Sequence, residues 1–597
     1  MNLRTAVFSG GVVAALALGL FGSLVAVTVR AAEPAATELA LSPGGLAIDA
    51  VDGALPPPAL VPSTLEVAAG NPALFGPRVK NVILLIGDGM GPQQVGLLSQ
   101  YARHGSRSTA PNRTSAIEQL MNAGTVGVVM NDPHGAIVVD SAAAATQLAT
   151  GQYAGSEMIG VNYQGEPAET VVEIAKKLGK SAGLVTDTRV THATPAAFAA
   201  HQRNRSMENE IAVDMLANQV DVMLGGGLRN WVPEAINNRE STAHAALLQM
   251  TGGVYRATSK RKDNRNLLLE ARGEYALVFD RFALERVKSG RVLGLFADSE
   301  MNDALCERAE INSHGRIQPT LVEMTDKALE LLSANSDGFF LMVEGGQIDW
   351  AGHNNDAGTL LHELLRFDAA VRRVLEWAAD RDDTLVLVTA DHETGSFGFS
   401  YSGRPLPEPR RLPGSAFSSS DLFEPNFNYA AHEVLDRLYD QTKSFFTIVA
   451  LEFDELPPAE QTPEKLMEMV NAASAVKITL EDAAEVLNRA PNRNYVAGHP
   501  YLNLPTVPAI RDFEAFYVYG DNSRMNLLGR KMAAAQSVVW GTGTHTSTPV
   551  LVGAWGPEAA TAAFSGVMHQ TDLGQRMIEL VRTGVIASPV DAARKPK

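Results

Sequence analysis

Eight short apolar runs without clean polar alternation punctuate this chain, at residues 82–86, 126–129, 183–185, 220–224, 292–296, 339–343, 385–388 and 549–553. Helical stretches lie between several of them, at 170–178, 321–332 and 360–379. A strand that is apolar on both sides must be covered on both sides. The pattern therefore predicts an α/β fold, a mostly parallel central sheet with helices on both faces. Such sheets collect their chemistry beyond the carboxyl ends of the strands.

Four polar clusters stand beside those ends. Asp88 follows the first run inside Gly87-Asp88-Gly89-Met90-Gly91, where glycines let the backbone turn sharply at the strand tip. After 339–343 come Glu344 and, further on, Asp349 and His353, four apart, so one helical turn would put both on one face as a bidentate metal site. Asp391 and His392 follow 385–388, and His545 sits among small residues in Gly541-Thr542-Gly543-Thr544-His545-Thr546, just before the run at 549–553. Taken singly, each cluster reads as a solvated turn or loop. Together, Asp88, Asp349, His353, Asp391, His392 and His545 supply enough nitrogen and oxygen donors for two zinc ions.

A fifth cluster supplies a nucleophile. Val138-Val139-Asp140-Ser141 runs into Ala142-Ala143-Ala144-Ala145-Thr146, a strong helix former, and Gly151 follows its end. Ser141 thus stands at a helix N-terminus, where backbone N–H groups favour an anion, either an alkoxide or a phosphate. Read without the metal clusters, Ser141 is a helix cap and nothing more.

In this order, Gly-Asp-Gly-Met-Gly, Asp-Ser-Ala, Thr-His-Ala-Thr-Pro, Glu-x4-Asp-x3-His, Thr-Ala-Asp-His and the late Thr-His-Thr resemble the alkaline phosphatases, from Asn81 to about Pro557 apart from an insertion. The resemblance implies one zinc held by Asp349, His353 and His545 and a second held by Asp88, Asp391 and His392. It implies a third ion, magnesium, on Asp88, Thr194 and Glu344. It makes Arg205 the arginine that grips the phosphate, with Arg203 as a rival. The reaction implied is hydrolysis of small phosphate monoesters through a phosphoserine on Ser141. Two positions depart from some bacterial members, which carry Asp at His192 and Lys at Trp350. These changes lower the negative charge beside the third ion, and His192 is read as acting through water or phosphate rather than as a direct ligand. A phosphodiesterase or sulfatase of the same superfamily is the nearest rival. Both generally lack the Thr194 and Glu344 pair, and the second also needs a Cys/Ser-x-Pro-x-Arg motif that Ser141-Ala142-Ala143 does not provide. A non-catalytic phosphate-binding protein has no need of the placed hydroxyl.

The rest of the chain frames that core. An uncharged run at 6–29, between Arg4 and Arg30, followed by Ala31-Ala32, reads as a secretory signal in residues 1–31 or, if retained, as a membrane anchor. Export to the periplasm or the exterior is expected either way. Residues 32–79 are an Ala/Pro-rich linker or arm. The catalytic domain is expected in two pieces, 80–400 and 541–590. The insertion at 401–540 carries helices at 463–475 and 480–489 and would form a cap or a homodimer contact. Lys and Arg number 50 against 67 Asp and Glu, a net charge of -17, which argues against a general nucleic-acid binder. Cys306 is the only cysteine, so no disulfide staples the chain to itself.

Overall fold

The computed structural model describes residues 78–253, 258–417, 420–510 and 518–586. The segment at 1–31, and that at 32–79 except for Arg78 and Val79, lie outside the described residues. No helix among the described residues is long and apolar enough to cross a membrane.

Ten strands form one sheet. From edge to edge they are Gly566–His569, Thr125–Met130, Val550–Trp555, Thr384–Thr389, Asn81–Gly87, Phe339–Gly345, Ser181–Arg189, Val222–Gly226, Arg291–Leu295 and Tyr275–Val278. Val550–Trp555 runs antiparallel to both neighbours. All other pairings in the sheet are parallel. The three central strands Thr384–Thr389, Asn81–Gly87 and Phe339–Gly345 are buried along their whole length. That explains the missing alternation: neither face meets water, so neither needs polar side chains.

The sequence reading holds for the interior strands and falls short at the edges. The strand expected at 220–224 begins two residues later, at Val222. Tyr275–Val278 and Gly566–His569 were not expected, and the latter follows the run that reads as the final strand. Both are four-residue edge strands, and Val567 is 74% exposed. A short strand covered on one side has little apolar signature.

Helix starts are set by side-chain caps. Thr170 and Glu173 form a capping box ahead of Val171–Lys177, and Thr320 and Glu323 do the same for Leu321–Leu332. The helix expected at 360–379 begins earlier, at Ala357, because the Asp356 side chain accepts the Thr359 N–H.

Residues 401–540 build a second, smaller core. Helices Pro463–Ala473, Leu480–Leu487 and Ser523–Gln536 bury Leu466, Val470, Val486, Leu528 and Met532 around Phe445 and Phe453. The chain then returns through Val538–Trp540, which pairs with Phe397–Phe399, to the loop that carries His545.

Candidate metal centre and nucleophile

The expected ligands arrive at neighbouring strand ends. Asp88 follows the central strand directly, and Gly89 turns the chain at φ +72°. A Cβ on Gly89 would stand 2.8 Å from the Asp349 Cα, so glycine is needed both for the turn and for the close approach. The Gly89 N–H donates to Asp391 Oδ1 at 3.0 Å, tying two strand ends together. Asp349 and His353 share the short helix Gln347–His353, one turn apart, as their spacing predicts. His545 lies on a two-residue strand paired with Glu393–Thr394, which lays its ring on that of His392 with centroids 3.6 Å apart.

The first donor set is Asp349, His353 and His545. His353 Nδ1 faces the Gly543 carbonyl at 2.8 Å and His545 Nδ1 faces the Val139 carbonyl at 2.9 Å. Donating Nδ1–H to those carbonyls leaves both Nε2 atoms as lone pairs, yet these stand 3.0 Å from each other. Asp349 Oδ2 is 3.2 Å from His353 Nε2, and Asp349 Oδ1 is 3.5 Å from His545 Nε2. Two lone pairs and a carboxylate cannot satisfy one another. Donors about 3.3 Å apart are what tetrahedral zinc with bonds near 2.0 Å requires.

The second set is Asp88, Asp391 and His392, all fully buried. His392 Nε2 lies 3.1 Å from Asp391 Oδ2 and 3.5 Å from Asp88 Oδ1, and neither oxygen has a hydrogen-bond partner. Burial, followed by the neighbouring imidazole of His545, holds His392 well below the usual histidine range, in its neutral, ligand-competent form. Thr194 Oγ1 donates to Asp88 Oδ2 at 3.3 Å. Glu344 accepts from Thr186 at 2.5 Å through Oε2, while its Oε1 is buried without a partner. Ligand atoms of Asp88, His192 and Glu344 fall within 4.8 Å of one another. His192 therefore stands closer to the third set than the sequence implies.

The acids carry a charge burden that cations relieve. With protein charges alone, burial and then the Asp391, Asp349 and Glu344 carboxylates push Asp88 well above the usual range. Burial raises Glu344 to about 8 and, with Asp349, Asp391 to about 6. Asp349 differs. Burial pushes it up, but positive charge at His353 and His545, standing where a bound cation would, more than offsets this and holds it well below the usual range. Unpartnered oxygens, facing lone pairs and crowded carboxylates all fit bound divalent metal ions.

Ser141 opens the fully buried helix Ser141–Thr150, with its Oγ 3.1 Å from His392 Nε2. The helix start departs from expectation in one respect. Its Ala142 and Ala143 N–H groups bond the Asp140 carboxylate and are not left for a substrate phosphate. Asp140 also accepts from the Glu157 N–H at 2.8 Å and from Arg205 Nη1 at 3.0 Å, and Arg205 Nη2 meets His192 Nε2 at 3.3 Å. Arg205 lines the cavity over Ser141, whereas its rival Arg203 is exposed and lines no part of it. Trp350 lines the same cavity, edge-on to His192 at 5.8 Å.

Residue reading alone missed four contributors. Asp140 was legible as an N-cap, since it directly precedes an Ala-rich helix. Thr394 donates to Asp349 Oδ1 at 2.5 Å and lies 3.3 Å from His392 Nδ1, bracing ligands of both sets. Tyr501 and Tyr519 reach the cavity from residues 401–540, where no periodic pattern announces them.

Comparison with known proteins agrees with this geometry. The profile of the alkaline phosphatase family matches residues 79–500. Alkaline phosphatase 3 of Bacillus subtilis is 29% identical over 515 residues, covering 85% of this chain and 90% of that protein. The crystal structure of the cold-active alkaline phosphatase of the psychrophile Shewanella sp. superposes with a TM-score of 0.58 at 25% identity, covering 84% of this chain and 99% of that one. The Thermus thermophilus alkaline phosphatase gives 0.65 at 24% identity, covering 86% and 93%, a likeness of fold. A profile matched over residues 79–500, which include the candidate metal donors up to His392, shows that the chain belongs to the alkaline phosphatase family, metal-dependent enzymes that hydrolyse phosphate monoesters.

Proposed function

We propose that this enzyme works in two steps through a phosphoserine on Ser141. The observation that carries the reading is the Ser141 hydroxyl 3.1 Å from His392 Nε2, inside a cluster of buried carboxylates. No base other than metal-ligating groups touches Ser141 Oγ among the described hydrogen bonds, so the hydroxyl sits where cations would activate it.

Asp349, His353 and His545 would hold one zinc, and Asp88, Asp391 and His392 a second. Asp88, Thr194 and Glu344 would hold a magnesium, with His192 beside them. When bound, such ions supply Lewis acidity, stabilising negative charge on oxygen and lowering the pKa of a hydroxyl or a water. The chain's own residues then orient the reaction. Ser141 presents its oxygen from a rigid helix end and attacks phosphorus as the ester oxygen leaves with the alcohol. Arg205, aimed by Asp140, pairs with the non-bridging phosphate oxygens. His192 fixes the other edge of that guanidinium. Water then cleaves the phosphoserine, releasing inorganic phosphate and restoring the Ser141 hydroxyl.

The deciding experiment compares turnover of an aryl phosphate, its methyl diester and an aryl sulfate. The monoester should dominate, with burst release of alcohol and acid-stable phosphate recovered on Ser141. Preference for the diester or the sulfate, or a burst that survives Ser141→Ala, would overturn the reading.

The basic and apolar N-terminal run supports export, and sequencing the mature N-terminus separates a cleaved signal from an anchor. The separate core within 401–540 supports reading that segment as an insertion that caps the site, while light scattering tests the homodimer.

A further inference from the structure

The cavity above Ser141 measures about 990 Å³, far more than a phosphate needs. Part of its wall comes from the 401–540 segment: Tyr501, Leu502, Val518 and Tyr519 line it. The Tyr519 ring meets the His353 ring edge-to-face, centroids 4.7 Å apart at 69°. Tyr501 meets Tyr519 at 6.1 Å and 87°, so the two rings form a right-angled corner. Neither ring is closed off, with Tyr519 36% and Tyr501 54% exposed.

Position gives that corner its meaning. Ser141 Oγ lies beside His392, and an in-line displacement would send the ester oxygen off on the opposite side, which we take to be that of Asp349, His353 and His545. Tyr519 packs on His353, so the corner borders the path that the leaving group takes. An aromatic ring entering it can stack on one tyrosine while presenting its edge to the other, the two arrangements that aromatic pairs favour. We infer that Tyr501 and Tyr519 select phosphate monoesters whose leaving group carries a flat aromatic ring, nucleoside monophosphates and aryl phosphates, over aliphatic esters. The inference rests on the monoesterase reading and adds a substrate class to it.

Adenosine 5′-monophosphate and ribose 5-phosphate test it, because both release a primary sugar hydroxyl and one lacks the base. The wild-type kcat/KM should favour the nucleotide by roughly threefold to tenfold. Tyr501→Leu and Tyr519→Leu, which keep an apolar side chain without the ring, should each bring that ratio toward unity. Tyr501 is not in ring contact with His353, so its variant guards against a metal-site disturbance in the other. Zinc content is measured on both. A wild-type ratio near one, or an unchanged ratio in both variants, overturns the inference and leaves monoester hydrolysis standing. Failure of the zinc-loaded wild type to hydrolyse either ester overturns the monoesterase reading and this inference with it.

Discussion

His353 and His545 face each other Nε2 to Nε2 at 3.0 Å, each with its Nδ1 against a backbone carbonyl. The protein has fixed two lone pairs on one point. Removing either imidazole should therefore cost metal before it costs fold. His545→Ala is expected to weaken zinc binding by more than about a hundredfold. Elemental analysis after dialysis reads the loss, and chelation of the wild type should abolish turnover until zinc is restored. Full zinc retention in His545→Ala would remove that residue from the ligand set.

Ser141→Ala deletes one oxygen and little else, because the helix start is capped by Asp140. Turnover is expected to fall at least about a thousandfold. Zinc content and melting temperature should stay near wild type. Residual activity within tenfold would point to direct attack by water.

Asp140 caps the nucleophile's helix and pairs with Arg205 at 3.0 Å. Asp140→Ala should lower stability by about 1 kcal/mol through the lost cap. It should also let Arg205 wander, so inhibition by inorganic phosphate should weaken roughly threefold to tenfold. Calorimetry and product-inhibition kinetics separate the two effects. An unchanged phosphate affinity would mean that Arg205 needs no such anchor.

A pH signature is expected at a pair that does not line the cavity. Glu173 Oε1 lies 3.1 Å from His201 Nε2. The bond to Glu173 raises His201 above its usual 6.5, while burial pushes Glu173 up and His201 and the Thr170 N–H more than offset it, leaving it below 4.5. A raised histidine stabilises fully below 6.5 and loses that contribution as pH climbs through its raised value. A lowered carboxylate stabilises fully above 4.5 and loses it as pH falls through its lowered value. The pair thus contributes most between those two values. Glu173→Gln keeps an acceptor for Thr170 and should cost about 1 kcal/mol in that window, with a smaller deficit on either side. A deficit that is flat from pH 4 to 9 in urea titrations contradicts the assignment.

The sheet interior and the candidate metal donors that it brings together were legible because both leave local marks. A buried strand such as 82–86 is an uninterrupted apolar run, and Asp88 or Asp391 stands directly beyond such a run. The i, i+4 spacing of Asp349 and His353 is a helical signature that the structure bears out. Long-range partnerships leave no such mark. Thr394 braces two ligands only because the strand it sits on pairs with His545, 151 positions away. Tyr275–Val278 was missed for the opposite reason, as a short edge strand needs too few apolar residues to stand out.

The helix Ser523–Gln536 belongs to the second core, yet Asn526 on it donates to the His353 carbonyl at 2.5 Å. A ligand rooted in the large sheet is thereby clamped by the smaller body. Heating should consequently silence the enzyme in two stages, with catalysis fading as residues 401–540 loosen and the ten-stranded sheet still intact. The working ceiling of this phosphatase would then be set by its accessory segment, and swapping or trimming that segment would move the ceiling without touching a single metal donor.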